Sequence, residues 1–269
     1  MAGNVEKIRE KYRDGAEDKR ASQSRYGALE FAYTKRHLEE FIHEGADVIE
    51  LGCGTGYYAM HFSSRCRSYL GVDLVPEHIA ILQEKISSRG LKNVRAQVGD
   101  ATALTAIDGG SFDVALCLGP MYHLPERERE LVFAQCRRIL RPGGIAAFAY
   151  INKVGVYAGG CIHDKLRASY PNEKANRMIL EEGRDDLQPE LFFFTMPEEM
   201  EAAAARHGFV KLKNLGTDFF IVMSIVEAMS EERFALLRPL LDEMASHGSC
   251  TGMSNHALLV CRKALAAER

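Results

Sequence analysis

The sequence predicts an α/β protein built on a doubly wound, mostly parallel sheet. Two observations carry that expectation. Between Val48 and Tyr150, five short apolar runs alternate with helix-length stretches and short turns, the order that assembles βαβ units. The first run, Val48-Ile49-Glu50-Leu51, opens directly into Gly52-Cys53-Gly54-Thr55-Gly56, where glycine takes every second place. Glycine adopts positive φ and lets the backbone approach a ligand closely. A ligand is therefore expected at the carboxyl end of the first strand, where open α/β sheets bind nucleotides.

Residues 1–45 precede that strand and are read as an N-terminal helical cover. Tyr26, Leu29, Tyr33, Phe41 and Ile42 recur at roughly helical spacing with Lys35, Arg36, Glu39 and Glu40 between them, which predicts an amphipathic helix over 26–43 ended by Gly45. The weaker stretch before it, with Tyr12, Glu17 and Arg20, reads either as a solvated flap or as a cover over a ligand. Tyr12 and Arg20 are candidate substrate contacts. After the glycine loop, 57–65 is expected as a helix whose amide-rich N-terminus faces the ligand. A second strand over 68–74 leads to a helix over 76–89 with Pro76 in its first turn. A third strand follows at 93–98, a fourth at 112–118 and a helix over 125–140. Arg141-Pro142-Gly143-Gly144 breaks that helix before a fifth strand at 144–150.

Composition bounds the function classes. At 269 residues the chain can bury a substantial core within one sheet domain, and its apolar fraction of 46% is that of a globular protein. The opening MAGNVEKIREKYRDG is charged, and no run of about 18 apolar residues occurs, the length a membrane span needs. These features predict a soluble, cytoplasmic protein. The cysteines, Cys53, Cys66, Cys117, Cys136, Cys161, Cys250 and Cys261, contain no C-x-x-C pair, so neither a disulfide framework nor a metal is expected. A net charge of −3 with no long basic block disfavours nucleic acid as a partner.

The spacing separates two nucleotide chemistries. A dinucleotide site uses G-x-G-x-x-G with the pyrophosphate over the helix N-terminus, the mark of a nicotinamide-dependent oxidoreductase. Here the register is G-x-G-x-G, and Glu50 stands two residues ahead of the first glycine. A carboxylate there opposes a pyrophosphate and suits a cofactor with a cationic head. Asp73 closes the second strand 23 residues after Glu50, where a ribose presents two hydroxyls to a bidentate acceptor.

With these residues the stretch resembles motif I of the class I (Rossmann-like) S-adenosylmethionine-dependent methyltransferases. The likeness is close from there through residue 151 and includes the Leu140-Arg141-Pro142-Gly143-Gly144 turn. The resemblance implies S-adenosylmethionine as cofactor, S-adenosylhomocysteine as product and methylation as the activity. It implies that Glu50, Gly52 and Gly54, with Gly56, shape the methionine end, that Asp73 and Leu74 meet the ribose, and that Asp100 and Ala101 meet the adenine. Leu118 and Gly119 would offer backbone groups to the amino-acid moiety. It also implies a seven-stranded sheet over 46–269 in the order 3-2-1-4-5-7-6 with strand 7 antiparallel. The remaining elements would be a helix from Pro197 ending at His207-Gly208, strands near 210–215 and 257–262, and a helix over 231–244 between those strands.

The region 152–191 has no clear period and carries Gly155, Gly159, Gly160, Pro171 and Pro189. It leaves the carboxyl end of the fifth strand and is read as a helical lid or substrate-binding insertion. Methyl transfer from a sulfonium is an in-line displacement on an activated leaving group, so alignment and exclusion of water supply much of the rate. A base is needed only where the nucleophile carries a proton of high pKa. His123, after the fourth strand, is the candidate base, against a role in pinning its loop. Tyr122 is its candidate companion. Tyr150 and Asn152 are candidate substrate contacts, with His163 and Cys161 further candidates in the insertion. Cys161 and Cys250 lack a third cysteine for thiolate-dependent metalloid chemistry. The expected function is methylation of a small-molecule acceptor by a monomer or homodimer. The alternatives are an RNA or protein methyltransferase and a cofactor-binding module without catalysis. Gly119-Pro120-Met121-Tyr122 stands where an exocyclic-amine nucleic-acid methylase has N-P-P-[YF]. One fold hosts many acceptors, so the acceptor atom is not written in these motifs.

Overall fold

A computed structural model describes residues 2–13, 24–162, 169–265 and 267. Its sheet has seven strands in the order β3-β2-β1-β4-β5-β7-β6. β1 (Asp47–Leu51) lies parallel between β2 (Ser68–Asp73) and β4 (Phe112–Cys117), with Ile49 opposite both Leu70 and Ala115. These strands are covered on both faces, which is why they read as apolar runs and not as alternating ones. β3 (Val94–Val98) extends the sheet beyond β2, and β5 (Leu140–Ile151) extends it beyond β4. β7 (His256–Lys263) runs antiparallel between β5 and β6 (Phe209–Gly216), pairing Ile151 with His256 and Gly216 with Ala257. The start of β7 therefore lies at the edge where the parallel strands end.

Nine helices are labelled here: α1 (Ala2–Tyr12), α2 (Arg25–Leu38), α3 (Tyr57–Phe62), α4 (Pro76–Ser88), α5 (Glu126–Ile139), α6 (Lys153–Ile162), α7 (Pro197–Arg206), α8 (Met223–Ala228) and α9 (Glu231–Ser246). One sheet face packs Ile49, Leu51 and Phe148 against Val132 and Phe133 of α5 and Met200 of α7. The other packs Val48, Leu116 and Val260 against Phe62 of α3 and Leu82 of α4. Each such side chain, fully buried, contributes roughly 1.5–3 kcal/mol. α2, α8 and α9 form a separate apolar cluster through Leu29, Tyr33, Val226, Phe234 and Leu241.

Three local expectations are corrected. α2 ends at Leu38 and not at 43, because the chain turns where Phe41 N–H reaches the Leu38 carbonyl at 3.0 Å and folds Phe41 and Ile42 onto the sheet layer; Gly45 lies in the loop beyond. The helix expected over 57–65 is α3 followed by a 3-10 turn, Ser63–Arg65. β5 begins at Leu140, ahead of the Pro-Gly-Gly break: Phe112 pairs with Leu140 and Val114 with Ile145, so residues 141–144 bulge opposite Asp113. Arg141 holds that bulge, reaching Asp113 at 2.6 Å and Asp47 at 2.9 Å. In the 152–191 region, α6 is followed by a helical turn at Glu173–Ala175 that continues as a π-helix, Asn176–Glu181. Among the described residues, no helix is long and apolar enough to cross a membrane.

Candidate active site

The carboxyl ends of β1, β2 and β4 converge on one cleft. Gly52, Gly54 and Gly56 all adopt left-handed φ, at 73°, 52° and 91°. A Cβ at Gly52 would stand 2.6 Å from Pro120 Cδ, and one at Gly56 would stand 2.3 Å from Leu82 Cδ1. The face of Gly54, by contrast, meets nothing within 4 Å. Packing thus demands glycine at two positions, while the third leaves bare backbone beside open space. Asp73 ties the loop to β2: Oδ2 accepts from Gly54 N–H at 2.7 Å and Oδ1 from Val75 N–H at 2.9 Å. Each carboxylate oxygen has a second lone pair for a further donor.

Glu50 lines the floor of the cleft and is 1% exposed. Its Oε2 accepts from the Tyr69 hydroxyl at 2.7 Å. Burial pushes its carboxyl up to about 8; the Tyr69 hydrogen bond opposes that rise, and the nearby Asp73 charge adds to it. The cleft therefore has a proton-holding acid at its base that a cation would convert to a carboxylate.

The cleft is lined from α1, α2, the glycine loop and the chain beyond the ends of β2, β3 and β4. One wall is aromatic: Phe31 of α2 stands 4.3 Å from Tyr57 and 5.6 Å from Tyr58, centroid to centroid. At the far end Asp100 Oδ1 accepts from the Thr102 N–H at 2.8 Å and hydroxyl at 2.7 Å, while Oδ2 takes no hydrogen bond among the described residues. Leu74, Ala101, Leu118 and Gly119 also line the cleft.

α1 crosses the mouth. Arg9 Nε donates to the Leu74 carbonyl at 3.2 Å, and His78 Nε2 donates to the Tyr12 carbonyl at 2.6 Å. Lys7 pairs with Glu190, and Lys11 lies 5.6 Å over the Phe192 ring, so α1 meets the insertion above the cleft. His123 joins these pieces. Its Nδ1 donates to the Leu191 carbonyl at 2.8 Å, which leaves the lone pair on Nε2 to accept from the Tyr12 hydroxyl at 2.9 Å. Burial pulls its pKa down to about 4, with the Leu191 carbonyl opposing and Lys11 adding to the fall, so the ring is neutral near pH 7.

The predicted residues sort by this geometry. Glu50, Gly52, Gly54, Asp73, Leu74, Asp100, Ala101, Leu118, Gly119, Tyr12, Tyr122 and His123 line the cleft. Gly56 stands behind it as the left-handed N-cap of α3. Tyr150 and Asn152, expected as substrate contacts, are corrected. Tyr150 is 1% exposed in the core cluster with α5 and α7, its hydroxyl donating to Asn214 Oδ1 at 2.7 Å. Asn152 is fully buried, its amide donating to the Gly252 and Ser254 carbonyls at 3.1 and 3.2 Å, so it pins the segment before β7. Arg20 and His163 lie outside the described residues, and Cys161 is exposed at the end of α6. Sequence reasoning missed Glu30 and Phe31 on α2, the Tyr57–Tyr58 wall and His78. It also missed a cluster of Glu30, Asp218 and His256 whose polar atoms lie within 4.8 Å of one another. The helical pattern places residues on a face of α2 but not the face that meets the cleft.

Residues 48–144 match a protein family described as a methyltransferase domain. The ubiquinone biosynthesis O-methyltransferase of Methylococcus capsulatus is 29% identical over 109 residues, 40% of this chain and 45% of the relative; that of Acinetobacter baumannii is 27% identical over the same shares. The chain thus spans less than half the length of these relatives. Among solved structures, an S-adenosylmethionine-dependent methyltransferase from Methanosarcina mazei superposes with a TM-score of 0.57 at 19% identity, covering 85% of this chain and 97% of its own. One from Mesorhizobium loti superposes at 0.55 and 17% identity, covering 87% and 99%. At those identities the likeness speaks for the fold. The fold is that of the class I, Rossmann-like S-adenosylmethionine-dependent methyltransferases on which it superposes, and the match to a methyltransferase domain lies within residues 48–144. Its sheet has the order of that class, with strand 7 antiparallel.

Proposed function

We propose that this protein transfers a methyl group from S-adenosylmethionine to a hydroxyl of a small, flat acceptor. The observation that carries the cofactor half of the reading is Glu50, a buried acid with a raised pKa under a glycine whose Cα face opens to the cleft. A pyrophosphate is repelled there, whereas a sulfonium or ammonium supplies the charge that the desolvated carboxyl lacks. In this reading Glu50, Gly52, Gly54 and Gly56 shape the methionine end. Asp73 uses its remaining lone pairs on the ribose hydroxyls beside Leu74, and Asp100 Oδ2 accepts from the adenine amine beside Ala101. Leu118 and Gly119 offer backbone groups to the amino-acid moiety.

The bound sulfonium would supply an activated methyl group. The chain's own part is to hold the acceptor in line and keep water out. Phe31, Tyr57 and Tyr58 offer stacking faces to an aromatic acceptor. α1 and the segment around Leu191–Phe192, latched through Tyr12 and His123, act as the cover. The cover of α1 and the Leu191–Phe192 segment over the cleft, with the relatives named as O-methyltransferases, favours a metabolite over RNA or protein. The reading is tested by thermal unfolding with S-adenosylmethionine, S-adenosylhomocysteine or NAD, since a ligand that binds only the folded state raises its stability by mass action. The two adenosyl ligands should raise the midpoint and NAD should not. A midpoint raised by NAD alone refutes the reading.

A further inference from the structure

Resting on that reading, we propose that His256, oriented by Asp218, is the general base that takes the hydroxyl proton of the acceptor. His256 opens β7 at the same sheet edge as the glycine loop, because β7 runs antiparallel beside β5. Its Nδ1 lies 2.6 Å from Asp218 Oδ2, and its backbone N–H donates to Asp218 Oδ1 at 2.6 Å. Asp218 is wholly buried in its side chain, and the Asn255 N–H also donates to its Oδ1 at 3.0 Å. Burial raises the Asp218 pKa, but the hydrogen bonds it accepts from His256 and Tyr26 outweigh it, so the carboxylate stays ionised. The His256 carbonyl is fixed in turn by the Thr217 N–H at 3.0 Å. An ionised acceptor on Nδ1 sets the ring in the tautomer that carries its lone pair on Nε2.

Nε2 of His256 makes no hydrogen bond among the described residues, and the side chain keeps 13% of its exposure. Two residues that line the cleft border it: Glu30, 3.7 Å from Nδ1, and Tyr122, whose ring centroid is 6.2 Å away. His123 differs in kind, since both of its nitrogens are engaged by Leu191 and Tyr12. A poised base has a use only where the nucleophile carries a proton of high pKa, which selects a hydroxyl acceptor. In the step, the O–H bond breaks, its proton passes to Nε2 and its electron pair stays on oxygen. That oxygen forms the new bond to the methyl carbon as the carbon–sulfur pair leaves with sulfur. The imidazolium, flanked by Asp218 and Glu30, then returns its proton to water. The groups that face His256 are Asp218 with Tyr26 behind it, the Asn255 side-chain amide, whose nitrogen lies 3.1 Å from Nδ1, Glu30 from α2 and Tyr122 from the loop after β4.

The test uses the full chain with catechol and 4-nitrocatechol as acceptors, the latter ionising without help near neutral pH. His256→Ala should lower transfer to catechol by about 10²–10⁴-fold, the range of general-base catalysis, and transfer to 4-nitrocatechol far less. Asp218→Asn should lower kcat on catechol with little change in KM, and Asp218→Glu should restore part of it. Both variants should bind S-adenosylhomocysteine as the wild type does. Independently of activity, diethyl pyrocarbonate, which acylates an accessible unprotonated imidazole nitrogen, should modify His256 well ahead of His123, and more slowly in Asp218→Asn. Equal losses on both catechols, no transfer to either by the wild type, or His123 reacting first would each overturn the assignment. So would stoichiometric Zn²⁺ bound by the wild type and lost in His256→Ala, which would make the cluster a metal site. Failure of the wild type to bind S-adenosylhomocysteine would instead overturn the cofactor reading beneath it.

Discussion

Replacing Glu50 by glutamine separates what the buried acid does for the fold from what it does for the ligand. Its carboxyl titrates near 8 and not near 4.5, so ionising it in the folded protein costs about 5 kcal/mol, at ~1.36 kcal/mol per pKa unit. The unfolded chain loses this proton near 4.5 and the folded chain keeps it to about 8. The unfolded state therefore binds fewer protons within that window, and stability falls as pH rises through it, by up to about 5 kcal/mol above its upper end. Glutamine cannot ionise, yet its carbonyl can still accept from Tyr69. Glu50→Gln should match the wild type near pH 5 and exceed its melting temperature at pH 9 by roughly 10–20 °C, at 2–4 °C per kcal/mol for a domain of this size. The same variant should bind S-adenosylmethionine more weakly, with a smaller loss for S-adenosylhomocysteine, which lacks the sulfonium charge. Circular dichroism melts at the two pH values and calorimetry decide the matter. A difference in melting temperature that does not change with pH refutes the argument.

The remaining predictions concern the loop and the latch. Gly54→Val should abolish binding of S-adenosylhomocysteine in calorimetry while the protein still melts cooperatively, because the new side chain enters open space but must adopt a left-handed φ of 52°; normal binding would remove the loop from the site. Asp73→Ala should weaken binding about tenfold or more and also lower the melting temperature, since it strips acceptors from the Gly54 and Val75 amides at roughly 1–3 kcal/mol each. For His123, the neutral ring's contribution is present above its usual 6.5 and is lost as pH falls through about 4. Hydrogen exchange, corrected for intrinsic rates, should then show α1 and residues 185–193 loosening together below pH 5 in the wild type, with a flatter response in His123→Gln. Independent loosening of the two segments would break the latch.

Much of the cleft's glycine-loop side was legible because it is local. A strand, a glycine turn and a helix start are consecutive in the chain, so their spacing places Glu50, the glycine backbone and, one unit later, Asp73 at one sheet edge. The opposite side of the cleft was not legible. Tyr150 and Asn152 sit at the correct end of β5, but strand alternation and the packing of α7 and the segment before β7 turn them inward. His123 stands beside the cleft, and only the arrival of Tyr12 and Leu191 from distant segments consumes its nitrogens. The composition and motif spacing by themselves determined a doubly wound sheet and a glycine loop with an acid at its base. Tertiary structure alone decided that Glu30 and His256, 226 positions apart, come together with Asp218, their polar atoms within 4.8 Å of one another. The physical reason is that side-chain periodicity fixes direction only within one element, whereas the antiparallel entry of β7 determines which edge of the sheet its first residue meets.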